Sequence, residues 1–259
     1  MPLDAGIYYY AARTNNGEMP PLVLIHGAGG THLHWPPQVR RLPVARVYAL
    51  DLPGHGKSEG RGYQTIEDYC QSILRWMQSL NLAQAIFTGH SMGGAISLWM
   101  AVHHPEHVIA LGLVGTGARL RVAPAILENT AAPTTFPAAV DTVIQWAFSP
   151  HTDPHLVDLA AKQMGKTRPA VMHGDFLACN EFDVMPDLSK IRVPALVIVG
   201  QDDKLTPVRY AQHLAAQLPR AELKIIPEAG HMVMLEQPRA VASALAEFVE
   251  HIHYMPGRG

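Results

Sequence analysis

The sequence predicts an α/β fold: a mostly parallel central sheet with helices on both faces and a mainly helical insertion after the sixth strand. Three observations lead there. Strand-like runs alternate with helix-like ones through the first half of the chain and again at its end. Some strand-like runs, such as "QAIFTGHS", are almost wholly apolar, as strands covered on both faces must be. The alternation then stops from 117 to 192, a stretch punctuated by Pro124, Pro133, Pro137, Pro150, Pro154 and Pro169. The expected organisation is one core domain, 1–116 and 193–259, interrupted by a helical cap at 117–192.

Each element follows from its own pattern. "GIYYYAAR" and "PPLVLIHG" read as opening strands, and "RVYALDLPGHGKS" as a strand running into a glycine-rich loop. From Thr65 to Leu82, Ile66, Tyr69, Ile73, Leu74, Met77 and Leu80 recur at helical spacing. "MGGAISLWMAVHHPEH" is a helix closed by Pro105, and "VIALGLVGT" is the next strand. After the interruption come the strand "PALVIVG", a helix from Val208 to Leu218, the strand "AELKIIP" and a last helix from Pro238 to about His253.

Composition narrows the function classes. The 259 residues are 48% hydrophobic, enough for one sizeable core. Lys+Arg 20 against Asp+Glu 22 gives a net charge of -2, which removes the simplest electrostatic case for nucleic acid or an anionic membrane. A small, fairly neutral substrate fits better. Cys70 and Cys179 lack disulfide-framework spacing and read as reduced core residues of a cytoplasmic protein. The first twenty residues lack the basic and apolar regions of a signal peptide, and no apolar run approaches the ~20 residues of a membrane span. The 15 histidines include the pairs His32/His34, His103/His104 and His251/His253, but none has a third ligand at metal-site spacing. No metal and no cofactor is expected, and the chain is expected to be a monomer or homodimer.

The chemistry concentrates at Gly89-His90-Ser91-Met92-Gly93, a G-x-S-x-G run between a predicted strand and a predicted helix. A serine at so sharp a turn must adopt a strained backbone, and glycines on either side remove the collisions that side chains would make. The turn displays the hydroxyl at the carboxyl end of the sheet and sets the Met92 N–H at a helix N-terminus, oriented toward negative charge. A serine needs a base and the base needs an orienting acid. "VIVGQDDKLTP" supplies Asp202 and Asp203 just beyond one strand, and "EAGHMVMLEQP" supplies His231 just beyond another.

Taken together, "LIHGAGG", "DLPGHGKS", "GHSMGG", "VIVGQDDKLTP" and "EAGHMVMLEQP" resemble the α/β-hydrolase fold family, serine-nucleophile branch, over almost the whole chain outside the cap. The resemblance implies Ser91 as nucleophile, His231 as general base and Asp203, three positions after Gly200, as the acid, with Asp202 the runner-up. It also implies an oxyanion hole from the backbone N–H groups of Ala28 and Met92. His26, Asp51, His55 and Ser58 are expected to shape loops.

The expected activity is that of a carboxylesterase acting on esters of small to medium apolar acyl groups. Ser91 excludes the branches whose nucleophile is aspartate. A lactonase is close behind, because "HGAGGTHLHWPP" looks like enol-lactonase relatives. Carbon–carbon bond hydrolases commonly carry tryptophan after the base histidine, where this chain has Met232. A non-enzymatic ligand receptor on the same scaffold is the alternative of a different class. Trp35, Phe136, Trp146 and Met232 are the candidate substrate-pocket residues, with Phe148, Phe176 and Phe182 as further aromatic candidates.

Overall fold

A computed structural model describes residues 2–12 and 19–253. Its strands are β1 (Leu3–Asp4), β2 (Ile7–Ala11), β3 (Pro21–Ile25), β4 (Arg46–Leu50), β5 (Ala85–His90), β6 (Val108–Val114), β7 (Ala195–Gly200) and β8 (Ala221–Ile226). Among the described residues these form one eight-stranded sheet in the order β1-β2-β4-β3-β5-β6-β7-β8. β2 pairs antiparallel with β1 and β4, and every pairing from β4 to β8 is parallel. Arg13, the end of the first strand as read from sequence, lies outside the described residues.

The helices are α1 (Pro37–Arg40), α2 (Ile66–Ser79), α3 (Met92–His103), α4 (Pro124–Thr130), α5 (Phe136–Ala147), α6 (Pro154–Met164), α7 (Pro169–Glu181), α8 (Val208–Gln217), α9 (Val233–Glu236) and α10 (Pro238–His253). α2 shows why the local sequence folds as it does. The Thr65 hydroxyl caps it by accepting the Asp68 N–H at 3.1 Å, and Glu67 and Asp68 place negative charge against the positive end of the helix dipole. Ile66, Tyr69, Cys70, Ile73 and Met77 then fall on one buried stripe.

The two-residue period of the strands splits the core into two layers. Val23 and Ile25 of β3, Phe87 of β5, Leu111 and Leu113 of β6, and Val197 and Val199 of β7 pack with α2, α3 and α8. Leu22, Leu24, Ile86, Leu196 and Ile198 face the other way, toward α1 and α10. α4 to α7 lie between β6 and β7 in sequence, and the one pairing within that stretch is the isolated bridge Arg119–Asp183. Because β3, β5, β6, β7 and β8 run parallel, the loops after β3, β5, β7 and β8 emerge along one sheet edge.

Candidate active site

Ser91 follows β5 directly and precedes the first residue of α3, with φ 51° and ψ -114°. Such a conformation is costly for a residue with a Cβ and persists only where the surroundings impose it. They do so here by crowding. A Cβ on Gly89 would collide with the Gly93 carbonyl, and one on Gly93 would collide with the Ile25 carbonyl of β3. The turn is further tied by Ser91 N–H donating to the Val114 carbonyl at 2.9 Å and by the Thr116 hydroxyl donating to the Ser91 carbonyl at 2.8 Å.

Asp203 follows β7 and His231 follows β8, and the fold brings them together: His231 Nδ1 lies 2.9 Å from Asp203 Oδ2. Both side chains are buried. The carboxylate is fully engaged, since Oδ1 accepts the N–H groups of Leu205 at 2.9 Å and Thr206 at 2.8 Å, and Oδ2 accepts the Thr206 hydroxyl at 2.8 Å. A carboxylate only accepts at these positions, so His231 Nδ1 carries the proton toward Asp203 and its Nε2 is left with a lone pair. Asp202, the adjacent candidate, points elsewhere and accepts the Ser149 hydroxyl at 2.6 Å. Thr206 was missed from sequence, although an Asp whose following N–H groups fold back on its carboxylate is a recognisable turn pattern.

The loop of His231 is anchored from two directions. Glu236 accepts the N–H of Gly230 and of Ser149, each at 2.8 Å, and Met232 N–H donates to the Ala147 carbonyl at the end of α5. His90 Nε2 donates to the His231 carbonyl at 2.9 Å, with the two rings 4.6 Å apart. Burial and the neighbouring His231 hold the His90 pKa well below the usual histidine value, so His90 stays neutral beside His231.

Ser91, His231, Ala28 and Thr206 line a cavity of about 210 Å³, together with His34, Arg121, Lys204 and Tyr210. Its apolar wall includes Val122, Ile126, Val143, Trp146, Phe176 and Met232. Met92 begins α3, so its N–H has no intrahelical partner. Of the pocket residues named from sequence, Trp146 and Met232 line the cavity and Phe176 joins them. Trp35 and Phe136 do not: Trp35 is fully buried and Phe136 nearly so, and both pack in the core layer with α1 and α10. Phe148 and Phe182 are likewise buried away from the cavity lining. An aromatic residue near a catalytic loop fills a core more readily than a pocket, and only packing decides which.

A second group of polar side chains is sealed beneath the loop after β3. Asp175 of α7 is fully buried and receives Gly29 N–H at 2.8 Å, His55 Nε2 at 2.8 Å and the Tyr69 hydroxyl at 2.6 Å. Asp51 receives the backbone N–H of His32 at 2.7 Å and of Lys57 at 2.9 Å, and His32 Nδ1 at 2.8 Å. His26 donates from Nδ1 to the Gly27 carbonyl at 2.7 Å and accepts Leu52 N–H on Nε2 at 3.0 Å. The loop-shaping roles read for His26, Asp51 and His55 therefore have specific partners. Asp175, inside an apolar helix, carried no sequence signal. Among the described residues no group of three or more His, Cys, Asp or Glu side chains is arranged to hold a metal ion.

A strained serine, a hydrogen-bonded His–Asp pair and a mostly apolar cavity thus lie together at the carboxyl edge of the parallel sheet. The chain is 29% identical over 248 residues to the pimeloyl-[acyl-carrier protein] methyl ester esterase of Vibrio vulnificus, covering 90% of this chain and 95% of that protein. It is 32% identical over 242 residues to the dihydrolipoyllysine-residue acetyltransferase component of the acetoin cleaving system of Pseudomonas putida, covering 88% of this chain but spanning only 63% of that protein. Its fold superimposes on the enol-lactonase of Burkholderia xenovorans with a TM-score of 0.87 at 26% identity, covering 94% of this chain and 96% of that one. The model of the alpha/beta hydrolase family matches residues 22–244, and the chain belongs to that family.

Proposed function

We propose that the protein is a serine hydrolase that cleaves carboxylic esters of small to medium apolar acyl groups through an acyl-enzyme. The observation that carries the reading is the 2.9 Å contact between His231 Nδ1 and Asp203 Oδ2, with Ser91 on the wall of the same cavity. Ser91 attacks the ester carbonyl carbon while His231 Nε2 takes the hydroxyl proton. Asp203 holds the ring in that tautomer and stabilises its charged form. Ala28 and Met92 N–H groups bind the oxyanion, His231 returns the proton to the leaving alcohol, and a water activated by the same nitrogen releases the acyl group.

The cavity supports the substrate class. At about 210 Å³ it is below the ~300 Å³ where drug-sized sites begin, and its apolar wall suits a short acyl chain. The inserted helices, as a cap over 117–192, supply much of that wall. Similarity to an esterase supports the ester reading, and a lactone is the second reading, favoured by the structural likeness to an enol-lactonase. No described helix is long and apolar enough to cross a membrane, and the free, buried Cys70 and Cys179 support a cytoplasmic setting.

The test is steady-state hydrolysis of p-nitrophenyl esters, from acetate to long chains, by the wild type and Ser91→Ala, with a panel of lactones alongside. The expected result is serine-dependent multiple turnover with an optimum at short to medium chains, and a loss of about 10⁶ in kcat for Ser91→Ala. Turnover of lactones alone would move the assignment to the second reading. A folded Ser91→Ala variant with near wild-type activity would remove the serine mechanism.

A further inference from the structure

We propose that Thr167 and Asp175, both from the inserted cap, are positioning residues that orient the oxyanion hole. The inference rests on the hydrolase reading above and concerns the peptide planes from Gly27 to Gly30. The unit joining Gly27 to Ala28 contains the Ala28 N–H, and its carbonyl, on Gly27, is held by His26 Nδ1 at 2.7 Å and by the Gly30 N–H at 3.1 Å. A trans peptide is planar, so fixing the carbonyl aims the N–H the opposite way. One of its two holders, the Gly30 N–H, belongs to the same planar peptide unit as the Gly29 carbonyl, so the aim of the Ala28 N–H depends both on His26 of the core and on whatever holds Gly29.

The next two planes are set by the cap. The unit joining Ala28 to Gly29 is held through Gly29 N–H, which donates to Asp175 Oδ2 at 2.8 Å. The unit after it is held through the Gly29 carbonyl, which accepts the Thr167 hydroxyl at 2.9 Å. Gly29 sits at φ +64°, a conformation few other residues adopt, and a Cβ there would lie 2.5 Å from Met172 Cε of α7. The residue after the oxyanion donor is thus gripped on its N–H and on its carbonyl by the insertion. Asp175 is itself moored to the core, by His55 from the loop after β4 and by Tyr69 of α2.

The consequence is that seating the cap and forming the oxyanion hole are one event. Loss of either grip frees the Ala28–Gly29 segment to rotate, and the donor leaves the position where the oxyanion develops. Misplacement on this scale lowers transition-state stabilisation while ground-state binding in the apolar cavity is untouched.

The experiment compares Thr167→Val, Thr167→Ser and Asp175→Asn with the wild type and Ser91→Ala, reading kcat and KM on the best p-nitrophenyl ester. It also reads inhibition by a trifluoromethyl ketone of the same acyl chain, whose serine adduct carries an oxyanion, against inhibition by the plain methyl ketone. Thr167→Val is expected to lower kcat ~10–100-fold at a KM within about twofold, and to weaken the trifluoromethyl ketone by a similar factor while leaving the methyl ketone unchanged. Thr167→Ser, which keeps the donor, is expected to retain most of kcat, and so is Asp175→Asn, which keeps an oxygen for Gly29 but lowers the melting temperature by removing the charge opposite the buried His55. For Thr167→Val, a lowered melting temperature with unchanged kcat and inhibition, or a raised KM at unchanged kcat, would overturn the proposal and leave the hydrolase reading standing. Absence of Ser91-dependent turnover in the wild type would overturn both.

Discussion

His231 and His55 each meet a buried carboxylate, at 2.9 Å from Asp203 and 2.8 Å from Asp175. Their other ring nitrogens meet different surroundings. His55 Nδ1 lies 3.1 Å from the Pro53 carbonyl, so both of its nitrogens face groups that only accept and the ring is held as a cation. Burial pulls its pKa down, but the charge and hydrogen bond of Asp175 outweigh that and the net shift is upward. Among the described residues no acceptor claims His231 Nε2, and that ring lines the cavity with Ser91. His26 completes the series: with one nitrogen donating and the other accepting it is locked neutral, and burial sets its pKa well below the usual value. The same pair of side chains is thus a fixed ion pair where both edges of the ring face acceptors, as at His55, and keeps an uncommitted nitrogen where one edge faces a cavity, as at His231.

That contrast is open to attack first where the effects are largest. His231→Ala is expected to lower ester-hydrolysis kcat by about 10⁶. Asp203→Asn, by leaving the wrong proton on the ring, is expected to lower it ~10⁴-fold. Asp202→Asn is expected to stay close to the wild type, because its carboxylate serves Ser149 and not the imidazole. Measuring kcat beside the melting temperature decides the matter. If Asp202→Asn lost as much activity as Asp203→Asn at equal stability, the acid would have to be reassigned.

The sheet and the His–Asp geometry were legible in the sequence for a physical reason: both depend on local patterns that repeat. Alternating apolar runs fix which residues face which layer, and Ser91, Asp203 and His231 each follow a strand of one parallel sheet, so their meeting follows from topology. The partners of those residues were less legible. Asp175 lies in α7, far in sequence from Gly29, His55 and Tyr69, and only the packing of the insertion brings them together. Trp35 and Phe136 fail as pocket residues for the same reason, since nothing local separates an aromatic that fills a core layer from Trp146, which borders the cavity.

Acid titration sharpens the comparison next. Burial lowers the pKa values of His26 and His90 well below 6.5 and that of His34 to about 4. A histidine depressed in the folded state takes up its proton only on unfolding, so stability falls as pH drops below about 6.5. Near pH 5 the unfolded chain therefore binds more protons than the fold does at these positions, and the loss of stability steepens toward lower pH. His55 does not offset this. Its raised pKa adds stability that is fully present below 6.5 and lost only as pH rises through its folded value, so near pH 5 it is protonated in both states. Guanidinium unfolding between pH 5 and 6.5 reads the slope directly, and a flat profile would contradict the assigned neutral rings.

Removing the imidazoles separates the two pairs by stability as well. His55→Ala leaves the Asp175 carboxylate buried without its cation and is expected to cost about 3–5 kcal/mol. His231→Ala leaves Asp203 its bonds from Leu205, Thr206 and the Thr206 hydroxyl, and its cost in stability is expected to be much smaller. Equal losses in denaturant unfolding would mean that the Asp203 pair is as structural as the other.

The smallest effect concerns specificity and repeats the contrast with one residue type. Trp146, half-buried on α5, borders the cavity, whereas Trp35 is fully enclosed in the core. Trp146→Ala enlarges the space for an acyl chain and is expected to shift the kcat/KM ratio between longer and shorter p-nitrophenyl esters by ~10-fold or somewhat more. Trp35→Phe removes volume from a sealed layer, so it is expected to lower the melting temperature and leave that ratio unchanged. The relevant quantity is the ratio, because a general loss of activity cancels in it. A Trp146→Ala variant with wild-type chain-length preference would place the acyl chain elsewhere in the cavity, against Val122, Ile126 and Phe176 and away from α5.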